Sequence, residues 1–199
     1  MPQLSHLESA FPKLAAAGYF KTSDPTGLPG TPGTFNCIAW AAQDTHHDFW
    51  WPEHDGYWPF WIKPEPKARC FVNTFRWLGY CLCDHSRREF AFDKVALYAI
   101  HKSRQPVSPP RALDDFGEWE PTHMARQLSD GSWTSKCGAN EDITHFTLDA
   151  LESYGPRYGP NRKEEYGCAV LYMKRFVLIS WVVRALQALA FRLARNVSR

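Results

Sequence analysis

The sequence has little net charge, no internal repeat and no uninterrupted hydrophobic run of the ~20 residues expected for a spanning helix. Its formal net charge is +2 over 199 residues, so it lacks the overall positive charge of a nucleic-acid-binding protein, and we expect no nucleic-acid partner. The longest apolar stretch, residues 176–191, falls short of the ~20 residues of a spanning helix and contains Arg184 and Gln187. Hydrophobic residues make up 44% of the chain and charged residues 22%, which excludes wholesale disorder.

The first twenty residues have neither the basic start nor the apolar core of a secretory signal. We therefore expect a cytoplasmic protein, and the six cysteines are expected to be free thiols in that reducing compartment. Two alternatives stay open. One is association with a membrane, and the other is export by a secretion system that needs no cleaved signal, as for an effector toxin.

Aromatic residues and prolines are abundant, with nine Trp, eight Tyr, thirteen Phe and fifteen Pro. They concentrate in residues 49–61, FWWPEHDGYWPFW, which we interpret as a proline-stiffened loop. Such a loop closes over the core or lines a substrate groove. In the second interpretation Trp51 and Trp58 bind substrate.

The pattern of hydrophobic residues predicts an α+β fold, with a helical N-terminal half followed by a small antiparallel sheet. Strands are expected over 90–100, 122–128, 132–136 and 166–173, with a two-residue turn at Asp130-Gly131 that pairs Gln127 with Thr134. The predicted helices are residues 4–17, interrupted near Pro12, a segment beginning close to Cys37, residues 68–78 and residues 143–151. Residues 22–34 are predicted to be a loop.

Cys37 is the first candidate catalytic residue. A cysteine in the first turn of a helix faces free backbone N–H groups and the positive end of the helix dipole, which favour the thiolate. The same N–H groups and the Asn36 side chain could hold an oxyanion. Thr34 or Asn36 is the expected N-cap. The alternative is that Cys37 is a small buried hydrophobic residue.

His123 is the candidate general base, because it opens a strand whose side chains at 125 and 127 share its face. Small Ala125 would let the Cys37 helix pack closely against that face. Asp142 or Ser135 would orient the imidazole, while Asp142 is also a candidate N-cap of the helix after it. The alternative for His123 is a structural role in the core.

A metal site is a weaker hypothesis. Cys81, Cys83 and His85 lie close in sequence, but their spacing fits structural zinc poorly, so we expect neither a metal nor another cofactor.

The C-terminal segment, residues 176–199, differs from the body of the chain. Its four charged residues are all arginines, so residues 1–175 carry a charge of about −2 when the four are subtracted from +2. We predict an amphipathic helix as a separate unit after an α+β domain over 1–175. This helix packs on the body or on a protein partner, lies in an anionic membrane surface, or spans a bilayer.

Several motifs together resemble an uncharacterised family of small bacterial proteins. They are NCIAWA at 36–41, WWP at 50–52, KVALYA at 94–99, THMARQL at 122–128, WTSKCG at 133–138, DITH at 142–145 and Tyr166-Gly167. Met124 and Cys137 depart from the usual Ala and Leu of that pattern. The resemblance implies no known reaction.

The order of a helix cysteine before a strand histidine is similar to that of papain-like and NlpC/P60-type thiol hydrolases. This resemblance implies a papain-like fold and a cysteine hydrolase or acyltransferase acting on an amide bond of a peptide, a cell-wall peptide or a protein side chain. Cys37 would attack and His123 would transfer the proton. The alternative is a non-catalytic interaction protein whose aromatic loop and C-terminal helix bind a protein partner or a membrane surface.

Overall fold

The structure of the protein is a computed structural model. It describes residues 5–23, 35–44, 58–59, 61–138, 140–154 and 165–178. Seven antiparallel strands form one sheet. They are β1 (Tyr19–Ser23), β2 (Cys81–Cys83), β3 (Phe92–His101), β4 (Trp119–Gln127), β5 (Trp133–Lys136), β6 (Asp142–His145) and β7 (Cys168–Phe176). Their order across the sheet is β1-β6-β5-β4-β3-β7-β2.

The helices of the described residues are short. They are α1 (Ser5–Ala10), α2 (Leu14–Ala17), α3 (Cys37–Ala42), α4 (Ala68–Trp77) and two 3₁₀ turns, Leu113–Glu118 and Leu148–Leu151. Within this part of the chain, none of the helices has the length and apolar character needed to cross a bilayer. The predicted C-terminal helix lies outside the described residues from position 179 onward.

The prediction of a papain-like α+β fold with a helical N-terminal half is wrong. The organising element is the seven-stranded antiparallel sheet, and the N-terminal half supplies β1, β2 and the long central β3. The described helices before β3 contain only six, four, six and ten residues. Isolated helices this short are marginal, so they depend on packing against the sheet.

Several individual elements are confirmed. The first predicted helix is interrupted at residues 11–13, around Pro12, and α4 covers the predicted helix over 68–78. The predicted helix over 143–151 is wrong, because its first half is strand β6 between β5 and β1. The β-branched Ile143 and Thr144 favour that strand, and Asp142 is therefore not a helix N-cap. Strand β1 occupies the start of the predicted loop over 22–34.

Two apolar layers cover the two faces of the sheet. Helices α3 and α4 pack on the first face, where Leu97 and Met124 belong to the core, and Phe71 and Phe75 of α4 are buried there. Helices α1 and α2 pack on the second face, where Ala125 belongs to the core. Because strand side chains alternate, neighbouring residues of β4 point into different layers.

A glycine allows two backbone segments to approach closely beside β3. Gly167 has φ +67° and forms an isolated bridge with Ser153. A Cβ atom at this position would lie 2.1 Å from the carbonyl oxygen of Ala99 in β3. Only glycine therefore fits this close approach of two backbones.

Candidate functional site

Helix α3 begins as the sequence predicts. Asn36 is the N-cap, and its Oδ1 accepts hydrogen bonds from the backbone N–H groups of Ile38 at 3.1 Å and Ala39 at 3.0 Å. Cys37 is the first residue of the helix. Capping therefore uses the N–H groups of Ile38 and Ala39, two of the donors that an oxyanion would need, and the oxyanion role predicted for Asn36 would rest on its Nδ2 amide group.

The thiol of Cys37 is not activated. Its side chain packs against the first apolar layer, and burial raises its pKa to about 11. Hydrogen bonds from the backbone N–H groups of Met124 and Ile38, together with the nearby Lys136 ammonium, lower the pKa but do not offset burial. The thiol is therefore protonated at neutral pH.

A buried ion pair lies on the same face of the sheet. Lys136 of β5 stands opposite Asp142 of β6, and Nζ lies 3.7 Å from a carboxylate oxygen. Their side chains are 2% and 0% exposed, and Nζ lies 5.5 Å from the ring centre of Phe35. Within the part of the chain that the structure describes, Asp142 is therefore paired with Lys136 and not with His123.

Helix α3 is tied to this face by its tryptophan. The Trp40 indole N–H donates a hydrogen bond to Oγ1 of Thr134 at 3.2 Å. The guanidinium of Arg126 lies 5.7 Å from the Trp40 ring centre. Polar residues of the NCIAWA, THMARQL, WTSKCG and DITH segments thus converge beneath α3.

His123 lies on the opposite face. Its ring stacks on Tyr166 at 4.2 Å and meets the edge of Tyr98 at 5.4 Å, both in the second apolar layer. The residue is 1% exposed, and neither ring nitrogen has a hydrogen-bond partner among the described residues. Burial, with a smaller contribution from His145, lowers the pKa of His123 well below its usual 6.5.

Ser135 also lies on this second face. Its hydroxyl donates to Nε2 of His145 at 3.0 Å, and Nδ1 of His145 donates to the carbonyl of Thr147 at 2.7 Å. Burial lowers the pKa of His145 to about 4. A serine beside an oriented imidazole resembles a catalytic pair, but both side chains are fully buried. The arrangement therefore fits a hydrogen-bonded core better than an accessible site.

The structure separates the predicted catalytic residues into two groups. Cys37 and Asp142 lie in the layer beneath α3, and His123 and Ser135 lie beneath α1 and α2. The sheet stands between the thiol and the imidazole. The helix that covers the Ala125 face is thus not the cysteine helix, and the expected Cys37–His123 pair is not formed.

The predicted substrate-binding tryptophans differ in their outcome. Trp51 lies outside the described residues. The Trp58 indole donates to the carbonyl of Ile62 at 3.0 Å, and its ring meets the edge of Phe71. Trp58 therefore closes the core over α4 rather than lining a groove.

In the described ranges, no three His, Cys, Asp or Glu side chains are gathered in a way that could hold a metal ion.

An exposed aromatic–basic patch was not found by sequence reasoning. Phe90 is 90% exposed and Leu178 is 68% exposed, at the end of the sheet where β7 leads into the C-terminal segment. The backbone N–H of Val177 donates to the carbonyl of Ala91 at 2.9 Å, which joins the segment before β3 to the segment after β7. The patch comprises Arg87, Arg88, Phe90, Phe176 and Leu178. The sequence signal is the Arg-Arg-Glu-Phe run directly before β3.

Two lysines hold this patch in place. Lys94, which is fully buried, donates to the carbonyls of His85 and Arg87 and pairs with Glu89 at 2.7 Å. Lys174 pairs with Glu89 at 2.6 Å. Hydrogen bonds from these two lysines lower the pKa of Glu89 to about 2. The carboxylate is therefore ionised and fixed, and the loop over 85–91 is anchored from beneath.

A family comparison matches the part of the chain that contains these features. Residues 30–174 match DUF7689, a domain of unknown function, and the chain belongs to that family. No curated protein and no solved structure shows significant similarity to the chain. The match contains both buried polar clusters and the loop over 85–91, whereas the segment after residue 174 lies beyond it.

Proposed function

We propose that this protein is a non-catalytic interaction protein that binds an anionic membrane surface through the aromatic–basic patch and the C-terminal segment 176–199. The observation that carries the proposal is the position of Phe90 and Leu178, highly exposed at the point where the segment leaves the sheet. Large apolar side chains exposed next to one another are typical of interaction sites.

The charge of this region supports a membrane over a protein partner. Arg87 and Arg88 are exposed beside Phe90, and segment 176–199 adds four arginines and no acidic residue. The remainder of the chain carries a charge of about −2 by the same count. Positive charge concentrated around apolar side chains is the combination that anionic lipid surfaces attract, with about 1 kcal/mol for each Lys or Arg near the surface.

Sedimentation of the full chain with lipid vesicles tests the proposal. We expect binding to vesicles that contain phosphatidylglycerol, weak binding to phosphatidylcholine vesicles, and a decrease with rising salt. Phe90→Gln with Leu178→Gln should weaken binding by about tenfold, since less apolar surface enters the interface. Phe146→Gln is the matched control, because Phe146 is 56% exposed on β1's side of the sheet. Equal binding to both vesicle types would overturn the proposal.

Alkylation of the cysteines tests the competing hydrolase hypothesis. With its pKa raised to about 11, Cys37 should react with iodoacetamide at pH 7 far more slowly than exposed Cys81. Mass spectrometry of the labelled peptides gives the order of reaction. If Cys37 reacts first in the folded protein and His123→Ala abolishes that reactivity, a thiol–imidazole pair exists and the enzyme hypothesis regains support.

A further inference from the structure

A groove adjoins the aromatic–basic patch at the base of the C-terminal segment. It has a volume of about 340 Å³ and is lined by residues from the end of α3, the loop before β3, the end of β4 and the start of the C-terminal segment. Arg88 and Arg126 contribute cations, while Phe90, Leu128 and Val177 contribute apolar surface. Small-molecule sites begin at about this size.

Both carboxylates of the groove wall have cationic partners. Asp93 pairs with Nη2 of Arg175 at 3.3 Å, and Arg175 itself is buried and donates to the carbonyl of Leu78. Glu89 is held by two lysines, as described above. These ion pairs fix the acidic charges within the wall, so they add little negative potential to the groove.

Among the described residues, cations outnumber carboxylates around the groove. Five cations lie on its wall or pair with its carboxylates, against three carboxylates when Asp130, whose charge interacts with Arg88, is included. The cations are Arg88, Arg126, Lys94, Lys174 and Arg175. Two of the wall residues are arginines, whose planar guanidinium groups bind phosphate oxygens in a bidentate manner.

We propose that this groove binds the phosphate headgroup of an anionic phospholipid, with Arg88 and Arg126 contacting the phosphate and Phe90 and Val177 facing the acyl region. The proposal rests on the membrane association proposed above and assigns its lipid chemistry. The groove is continuous with the exposed Phe90, so one site offers cations for a phosphate and apolar surface for an acyl chain. This favours a lipid over a free phosphate.

Titration with a monomeric short-chain phosphatidylglycerol, below its micelle-forming concentration, tests the groove without vesicles. We expect saturable heat from the full chain in calorimetry, weakened about fivefold by Arg88→Gln and similarly by Arg126→Gln. Arg88→Lys and Arg126→Lys keep the charge but lose the bidentate geometry, so they should also weaken binding. Arg111→Gln, at an exposed arginine outside the groove lining, is the matched control and should leave binding unchanged. Thermal melts identify any variant that fails to fold. If the Arg126 variants fail, the exposed Arg88 variants decide the result.

The outcomes separate the two proposals. The groove assignment would be overturned if Arg88→Lys and Arg126→Lys still bind vesicles and the short-chain lipid gives no heat. Membrane association would stand in that case. Saturable binding of the short-chain lipid without vesicle binding would overturn membrane association alone. Inorganic phosphate that competes equally at constant ionic strength would overturn the lipid assignment in favour of a free phosphate.

Discussion

Two buried histidines should make the protein unstable in mild acid. The pKa of His145 is about 4 in the folded chain, against 6.5 for an ordinary histidine. Below pH 6.5 the unfolded chain therefore binds a proton that the folded chain does not bind until about pH 4. The free energy of unfolding is complete above pH 6.5 and falls by about 3 kcal/mol as the pH drops to 4. His123 acts in the same direction, since burial lowers its pKa as well.

A loss of that size is a large part of the ~5–15 kcal/mol that stabilises an ordinary domain. Urea unfolding followed by tryptophan fluorescence at several pH values measures it. His145→Gln should lower stability at pH 7, because buried hydrogen bonds of Ser135 and Thr147 are lost. The same variant should also show a flatter fall in stability between pH 6.5 and 4. Comparing the two curves removes the contribution of the carboxylates, because both proteins contain them.

His6→Gln is the matched control, because its side chain is 51% exposed and its ion pair with Glu141 lies at the surface. Its pH dependence should follow that of the natural chain. The reasoning fails if His145→Gln and the natural chain lose stability in parallel over this range.

Three further changes test the packing around the sheet. Gly167→Ala should cost about 3 kcal/mol or more in thermal unfolding, because the added Cβ meets a backbone carbonyl, whereas Gly117→Ala, with open space around it, should cost little. Lys136→Met should cost about 3–5 kcal/mol by removing the cation that pairs with the buried Asp142 carboxylate, and adding Asp142→Leu should restore much of the loss; equal costs for the single and double variants would contradict this. Asn36→Ala should cost about 1 kcal/mol through loss of the cap, whereas Asn36→Asp should keep most of it.

Much of the local structure was predictable because it depends on nearby residues. The spacing of apolar residues predicts α4, and an amide side chain before an apolar run predicts the Asn36 cap. Proline at position 12 predicts the break between α1 and α2. Strand β6 was missed because its four residues are too few to show alternation, and its pairing with β1 and β5 comes from distant parts of the chain.

The pairing of β4 with β5 was predicted one residue away from its true register. A two-residue turn at Asp130-Gly131 pairs Gln127 with Thr134, whereas the structure pairs Gln127 with Trp133. The Leu128 N–H donates to the carbonyl of Ser132, so the loop is longer than two residues. A slip of one residue moves every side chain of the partner strand to the other face. It places Ser135, rather than Thr134, in the layer that contains His123.

The same alternation explains why a helix cysteine and a strand histidine do not form a catalytic pair here. The chain order of the two residues is visible in the sequence, but the face of the sheet on which each helix packs is not. Met124 belongs to the apolar layer beneath α3, and its backbone contacts Cys37. His123 is its neighbour and therefore points through the sheet to the layer beneath α1 and α2. One position along β4 thus decides whether these residues share a site or stabilise two separate layers of the core.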